Sequence, residues 1–436
     1  MKHAIVTRLL ASLSVAASLG LSACGGTDVA EDTPAADSAA LPEAVALAQN
    51  RAPAPPPPTA NPAAPVVTDP MARLGQAIFG DTSLSEPRGT ACVACHQPNR
   101  GFAGNHGSRI GVALGSQPTA LGLRNAMGNA YLSFVPPLSF VTANGETEAV
   151  GGHFWDGRAD TLEQQALGPL LNPLEMNNPS RQAVVAKIAA APYANQFRQV
   201  FGANIFNNTD AAFAQIGTAI AAFERSAALQ SFSSKYDGFV RGNVALTPAE
   251  ARGMALFQAS DKGNCAACHT MNPASTRAQD NQFTDFGYYA TGIPRNTAIP
   301  RNADASFFDL GLCGPERTAP VLPSTVVPGT SIDNFCGKFR IPSLRNVAER
   351  PAFMHNGFFN NLTDVVRFYS TRNSNPQRWY GSVGVANDLP ARYLGNIETT
   401  KAPFNRGAAQ GPALSEGEIG DIVAFIRTLS DGFVAP

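Results

Sequence analysis

Seven cysteines and six histidines occur in this chain of 436 residues, and the spacing of the cysteines is uneven. Cys92-Val93-Ala94-Cys95-His96 and Cys265-Ala266-Ala267-Cys268-His269 repeat one pattern: two thiols with two residues between them, followed at once by an imidazole. Thiols at this spacing add across the vinyl groups of a haem, and the adjacent histidine ligates the iron from one face. The competing uses of the pattern are a redox dithiol, a zinc site and a disulfide. Neither pair lies in a thioredoxin-like βαβ pattern, and no zinc-knuckle spacing follows. With histidine so scarce, its recurrence directly after both pairs points to two covalent haems. Cys92, Cys95, Cys265 and Cys268 would attach them, and His96 and His269 would ligate the irons.

Cys313 and Cys336 lack such a partner and lie in a Gly/Pro-rich loop, so a disulfide is expected in an oxidising compartment. Candidates for the second axial position of each iron are few. After the N-terminal leader the other histidines are His106, His153 and His355, and the methionines are Met71, Met127, Met176, Met254, Met271 and Met354. A lone histidine is more often hydrogen-bonded structure and a lone methionine more often core. One iron is therefore expected to lack a strong sixth ligand. An open iron can bind peroxide, whereas a fully ligated one mostly transfers electrons.

The elements that must position these groups come in two sets. Leu74-Gly75-Gln76-Ala77-Ile78-Phe79 precedes the first motif as Arg252-Gly253-Met254-Ala255-Leu256-Phe257 precedes the second, and Leu123-Arg124-Asn125-Ala126 is echoed by Leu344-Arg345-Asn346-Val347. Such self-similarity predicts two related modules. Thr247-Pro248-Ala249-Glu250 reads as a capping box with proline at the first helical position. Ser415 opens another helix, with Ile419, Ile422, Val423 and Ile426 at helical spacing. Alternating strand patterns are scarce, so the fold class is mainly α with long loops. The expected organisation is a leader at 1–23, a tether at 24–69, a first haem domain at 70–240 and a second at 241–436.

The leader carries Lys2 and Arg8 before an apolar stretch and ends Leu21-Ser22-Ala23-Cys24, which fits a lipoprotein signal with Cys24 as the lipidated residue. Ten prolines then fall between Pro34 and Pro70, a composition that favours extended chain over a core. The chain is thus expected on the periplasmic side, anchored to the outer membrane through lipid alone. With 32 basic and 33 acidic residues the net charge of −1 argues against a nucleic-acid partner.

Taken together, these features resemble the bacterial dihaem cytochrome c peroxidases over about Met71 to Gly432. The matching residues are both haem motifs, Phe154-Trp155-Asp156-Gly157-Arg158-Ala159, Glu175-Met176-Asn177-Asn178 and Leu344-Arg345-Asn346-Val347-Ala348. The resemblance implies two cytochrome c-like haem domains, a peroxidatic N-terminal haem and an electron-accepting C-terminal one, with Trp155 between them. It places Gln165 and Glu175 on the distal side of the first haem. There Gln165 would hydrogen-bond hydrogen peroxide and Glu175 would shuttle a proton between its oxygens. On their own both read as solvated polar residues.

Two departures shape the expected function. The family's distal histidine sits in a Gly-His-Gly context, but here the stretch reads Ile110-Gly111-Val112-Ala113-Leu114-Gly115-Ser116, with His106 a few residues earlier. The first haem is therefore expected to be open. At the second haem the family's methionine position aligns with Tyr369, as in the MauG-type branch, with Met354 and His355 as alternative ligands. The leading expectation is reduction of hydrogen peroxide with electrons from a small carrier protein, a cytochrome c or a cupredoxin. The alternatives are MauG-like oxidation of Trp or Tyr on a partner protein, and a plain dihaem electron carrier. The family often holds calcium near the position of Asn125, and its members commonly form homodimers.

Overall fold

The computed structural model describes residues 65–143, 146–319 and 330–435. The leader, Cys24 and the tether up to residue 64 lie outside the described residues. The helices are α1 (Pro70–Phe79), α2 (Cys92–Cys95), α3 (Leu162–Leu171), α4 (Arg181–Ala189), α5 (Ala194–Phe201), α6 (Thr209–Glu224), α7 (Lys235–Val240), α8 (Pro248–Gln258), α9 (Leu362–Thr371), α10 (Gln377–Tyr380) and α11 (Glu416–Arg427). Among the described residues sheet is confined to two antiparallel pairs. In one, β1 (Ser139–Ala143) runs against β2 (Glu146–Val150); in the other, β3 (Tyr288–Tyr289) runs against β4 (Phe339–Arg340). The chain is mainly helical, as its patterning predicts. Among the described residues no helix is long and apolar enough to cross a membrane.

Helix starts follow side-chain chemistry. Asp69 Oδ1 accepts the Ala72 N–H at 2.8 Å and Pro70 occupies the first turn of α1. Thr247 and Glu250 form the predicted capping box of α8, and Ser415 and Glu418 form one at α11.

The internal echo is a repeated helix crossing. α1 packs on α6 and α8 packs on α11, and each crossing has a glycine at the point of closest approach. A Cβ at Gly75 would stand 1.9 Å from the Ala219 carbonyl oxygen, and one at Gly253 would stand 1.9 Å from that of Asp421. Only glycine lets the backbones meet there. Four residues on, Phe79 and Phe257 are buried in equivalent places. Two core clusters grow from these crossings. The first joins Leu74, Ile78, Val184, Phe197, Phe213 and Ile220; the second joins Phe257, Phe283, Val366, Phe368, Ile422 and Phe425, with Tyr236 of α7 packed into it.

Long loops between the helices are tied by buried polar pairs. Arg124 reaches Asp309 at 2.6 Å and Asp156 at 2.7 Å. Arg345 meets Asp237 at 2.9 Å with both side chains almost wholly buried, and also donates to the carbonyls of Asn281 and Ala278. Removing one member leaves an uncompensated buried charge. Arg345→Met should therefore lower the unfolding free energy by about 3–5 kcal/mol in a denaturant titration. A loss within experimental error would show that water reaches Asp237. Cys313 and Cys336 are joined by a disulfide.

Candidate active site

Each haem motif opens onto its own cavity. The first contains Cys92, Cys95 and His96, and the second contains Cys265, Cys268 and His269. Trp155, Met127, Leu132 and Arg340 line both, so these four side chains form the shared wall. Trp155 is held there by its indole N–H, which donates to the Asn125 carbonyl at 2.8 Å, and by its own carbonyl, which accepts the Arg340 N–H at 2.8 Å.

The residues fit haem better than the competing uses of the pattern. None of the four thiols is in a disulfide. Burial pushes Cys92, Cys95 and Cys265 up to about 12 and Cys268 up to about 11. Zinc and redox pairs need thiolate, whereas addition to a vinyl group consumes a thiol with its proton. No group of three or more His, Cys, Asp or Glu able to hold a metal ion exists among the described residues. His96 Nδ1–H donates to the Phe102 carbonyl at 3.2 Å and His269 Nδ1–H donates to that of Phe283 at 2.9 Å. A carbonyl only accepts, so Nε2 of each ring is the bare nitrogen available to iron. Burial drives both imidazoles down to about 4 and so keeps them neutral.

A second sign of fit is cationic. Arg340 is 2% exposed, lines both cavities and makes no ion pair among the described residues; its Nε and Nη2 reach only the Phe154 carbonyl and Met127 Sδ. Arg350, in the second cavity, has among the described residues only the carbonyls of Ala126 and Ala352, and burial lowers it to about 10. Buried guanidinium groups without anions call for carboxylates from elsewhere, which the propionates of two haems would bring.

The distal groups named from the sequence converge on the first cavity. Gln165 lies on α3, and Glu175 lies in the tight turn that follows it, and both line the cavity with Arg158. That turn is set by Asn172, whose Oδ1 accepts the Leu174 N–H at 2.9 Å and whose Nδ2 donates to Glu175 Oε1 at 2.7 Å. The stretch lacking the distal histidine braces it from outside. Ser116 N–H donates to the Glu175 carbonyl at 2.7 Å, and Gly115 leaves room for the Leu174 carbonyl, which a Cβ would approach to 2.3 Å. Burial raises the Glu175 carboxyl to about 6, opposed by Arg158 and assisted by Glu316. His106 is not part of the cavity lining, and its Nδ1–H is committed to the Leu114 carbonyl at 2.7 Å.

Tyr369, on α9, lines the second cavity, as do Met354 and His355 from the loop before that helix. Among the described residues the Tyr369 hydroxyl has only Met354 Sδ at 3.9 Å, a weak acceptor, and burial pushes the phenol well above its ordinary value. His355 is otherwise engaged: its ring stacks on Phe339 at 3.6 Å and its Nε2 lies 3.3 Å from Asp388. Asn125 Nδ2 donates to the carbonyls of Ala352 and Met354, while its Oδ1 is buried without a partner.

Sequence reasoning missed Arg340, Arg350, Asn129 and Glu224, all of which line the cavities. Glu224 carried a signal. It stands four residues after Ile220 on an otherwise apolar helical face, where charge is out of place.

Comparison with known proteins finds relatives over most of the chain. The family described as di-haem cytochrome c peroxidase matches residues 69–245. The methylamine utilization protein MauG of Paracoccus denitrificans is 33% identical over 368 residues, covering 83% of this chain and 89% of the relative. The cytochrome c551 peroxidase of Nitrosomonas europaea is 28% identical over 291 residues, 66% of this chain and 69% of the relative. Among solved structures, the diheme peroxidase BthA of Burkholderia thailandensis superposes with a TM-score of 0.75 at 39% identity, covering 84% of this chain and 89% of that one.

Proposed function

This chain belongs to the di-haem cytochrome c peroxidase family, and from that premise we propose that it reduces hydrogen peroxide to water with electrons from a small carrier protein. The observation that carries the reading is the meeting of Glu175, Gln165 and Arg158 in the cavity of His96. When bound, the haems supply cleavage of the peroxide bond and storage of electrons. The residues do the rest. Gln165 orients peroxide by hydrogen bonding. Glu175, with Oε1 fixed by Asn172, takes a proton from one peroxide oxygen and returns it to the departing one. A group balanced near pH 6 can do both. Trp155, whose indole stands in the shared wall, offers the electron path between cavities. In this reading the haem domains span 70–240 and 241–436, and Tyr369 would ligate the second iron. Asn125 Oδ1 offers one oxygen to calcium. The domains hang in the periplasm from a lipidated Cys24 on the outer membrane, and the protein pairs as a homodimer.

Tyr369 favours a second reading, MauG-like oxidation of Trp or Tyr on a partner protein, supported by the 33% identity to MauG. Stopped-flow mixing of peroxide with the protein and a reduced cytochrome c or cupredoxin separates the two. The peroxidase reading expects fast oxidation of the carrier; slow oxidation would overturn it in favour of the second. Two low-spin haems indifferent to peroxide would leave only an electron carrier.

A further inference from the structure

Glu224 ends α6 at 1% exposure and takes no part in the peroxide chemistry assigned to Glu175. Its Oε1 accepts from Asn129 Nδ2 at 2.6 Å, while its Oε2 is buried without a partner. Both residues line the first cavity with Cys92 and His96. Leaving a carboxyl oxygen buried and unpaired costs about 1–3 kcal/mol, so the fold alone does not account for it.

The repeat supplies an internal control. Ala219 meets Gly75 as Asp421 meets Gly253, and the same register carries Glu224 onto Ile426. Ile426 lines the second cavity, so an apolar side chain suffices at this place in the fold. The acid is peculiar to the first cavity. Around Glu224 stand Arg225, which caps the end of α6, Glu163 on α3, Asn129 from the loop and Cys92 from the haem motif. Across the cavity, the titratable or charged groups include Glu175, Arg158, Arg340 and His153, whose Nδ1 is also buried without a partner. Burial pushes the Glu224 carboxyl up to about 8, against the pull of Asn129 and Arg225.

We propose that Glu224 is the charge-compensating proton site of the first haem cavity. Where the carboxyl is ionised in the oxidised state, one proton enters Oε2 from solvent when the adjoining haem accepts one electron from a one-electron donor, and it leaves when that electron is withdrawn. The carboxylate becomes a carboxylic acid, so the charge of the cavity is unchanged by the pair. An electron and a proton confined to one low-dielectric cavity favour each other's binding. The proposal rests on haem attachment at Cys92 and Cys95, which a pyridine haemochromogen spectrum checks independently. The decisive readout is made without peroxide, so it stands or falls separately from the role of Glu175.

The test is spectroelectrochemical titration of the high-spin haem in the holoprotein from pH 6 to 10. In the wild type the midpoint potential should be flat below about pH 8, where the acid is already protonated in both redox states. Above that it should fall by up to about 59 mV for each tenfold drop in proton concentration. Glu224→Gln keeps an acceptor for Asn129 but cannot titrate, and its potential should be flat throughout. A slope that survives in Glu224→Gln overturns the proposal. Should that variant not fold, redox-difference infrared spectra of the wild type decide at pH 9. A protonated-carboxyl band that grows on reduction and moves on 13C-glutamate labelling is expected; its absence overturns the assignment.

Discussion

Glu175→Gln should slow peroxide cleavage by roughly 10²–10⁴-fold, the range for loss of general acid–base help, while peroxide affinity changes only a few-fold. The amide keeps the shape of the side chain and can still accept from Asn172 Nδ2, so the turn after α3 is preserved. What is lost is the ability to take up and return a proton. In the wild type the carboxyl is raised by burial to about 6, so the cleavage rate should climb through pH 6 as the basic form appears. In Glu175→Gln that limb should vanish. The sign of the stability change gives a control. A carboxyl raised in the folded state favours folding when protonated, and this contribution fades as pH rises from its ordinary value to about 6. At pH 7 the neutral amide should therefore be at least as stable as the wild type, and a rate loss cannot be ascribed to unfolding. Stopped-flow traces at several peroxide concentrations separate binding from cleavage. Equal losses in both would remove the proton-transfer role.

How far the site can be read from the sequence depends on how local each part is. The haem motifs are local: thiols and imidazole lie within five consecutive residues, and the dithiol spacing carries the chemistry. The helix crossings are nearly so, because Gly75 and Gly253 each stand four residues before an aromatic and mark a close approach. The distal groups are not local. Gln165 and Glu175 follow the first motif by some seventy residues or more, and nothing in their own neighbourhood tells them from surface polar residues. Resemblance named them; the turn built by Asn172 and the brace from Gly115 and Ser116 show how Glu175 is held at the cavity, while α3 carries Gln165 to it. Arg340 and Arg350 were illegible for a different reason. An arginine is ordinarily exposed, and only tertiary packing shows these two lining the cavities with no carboxylate partner among the described residues. Glu224 lies between these extremes, since its place on an apolar face announces burial but not the cavity it faces.

Tyr369→Phe should alter one haem and spare the other. Burial holds the Tyr369 phenol neutral despite the opposing pull of Arg372, and among the described residues its oxygen has a hydrogen-bond partner only in Met354 Sδ. A ferric iron in the same cavity reverses this, because a bound cation becomes the largest local charge and draws the proton off its ligand. The phenolate would in turn stabilise the ferric state. Removing it should raise the midpoint potential of the second haem by on the order of 0.1 V, part of the roughly 0.8 V over which axial ligands act. Its low-spin signature should weaken or shift, while the high-spin signature of the first haem and the spectrum of its peroxide reaction stay as they were. If Met354 moves in as replacement, the haem remains low-spin and the potential rises further, since a thioether donates less to ferric iron than a phenolate. Both outcomes move the potential upward, so an unmoved potential would exclude Tyr369 as a ligand. The same experiment bears on the choice of substrate. A phenolate-held iron makes the more oxidised states of the second haem easier to reach, which is what removing electrons from a Trp or Tyr on a partner requires. Donation from a soluble carrier to a peroxide-oxidised site needs no such help. Carrier oxidation that persists in Tyr369→Phe would therefore fit the peroxidase reading, and its loss together with protein oxidation would tie both to the second haem's ligand.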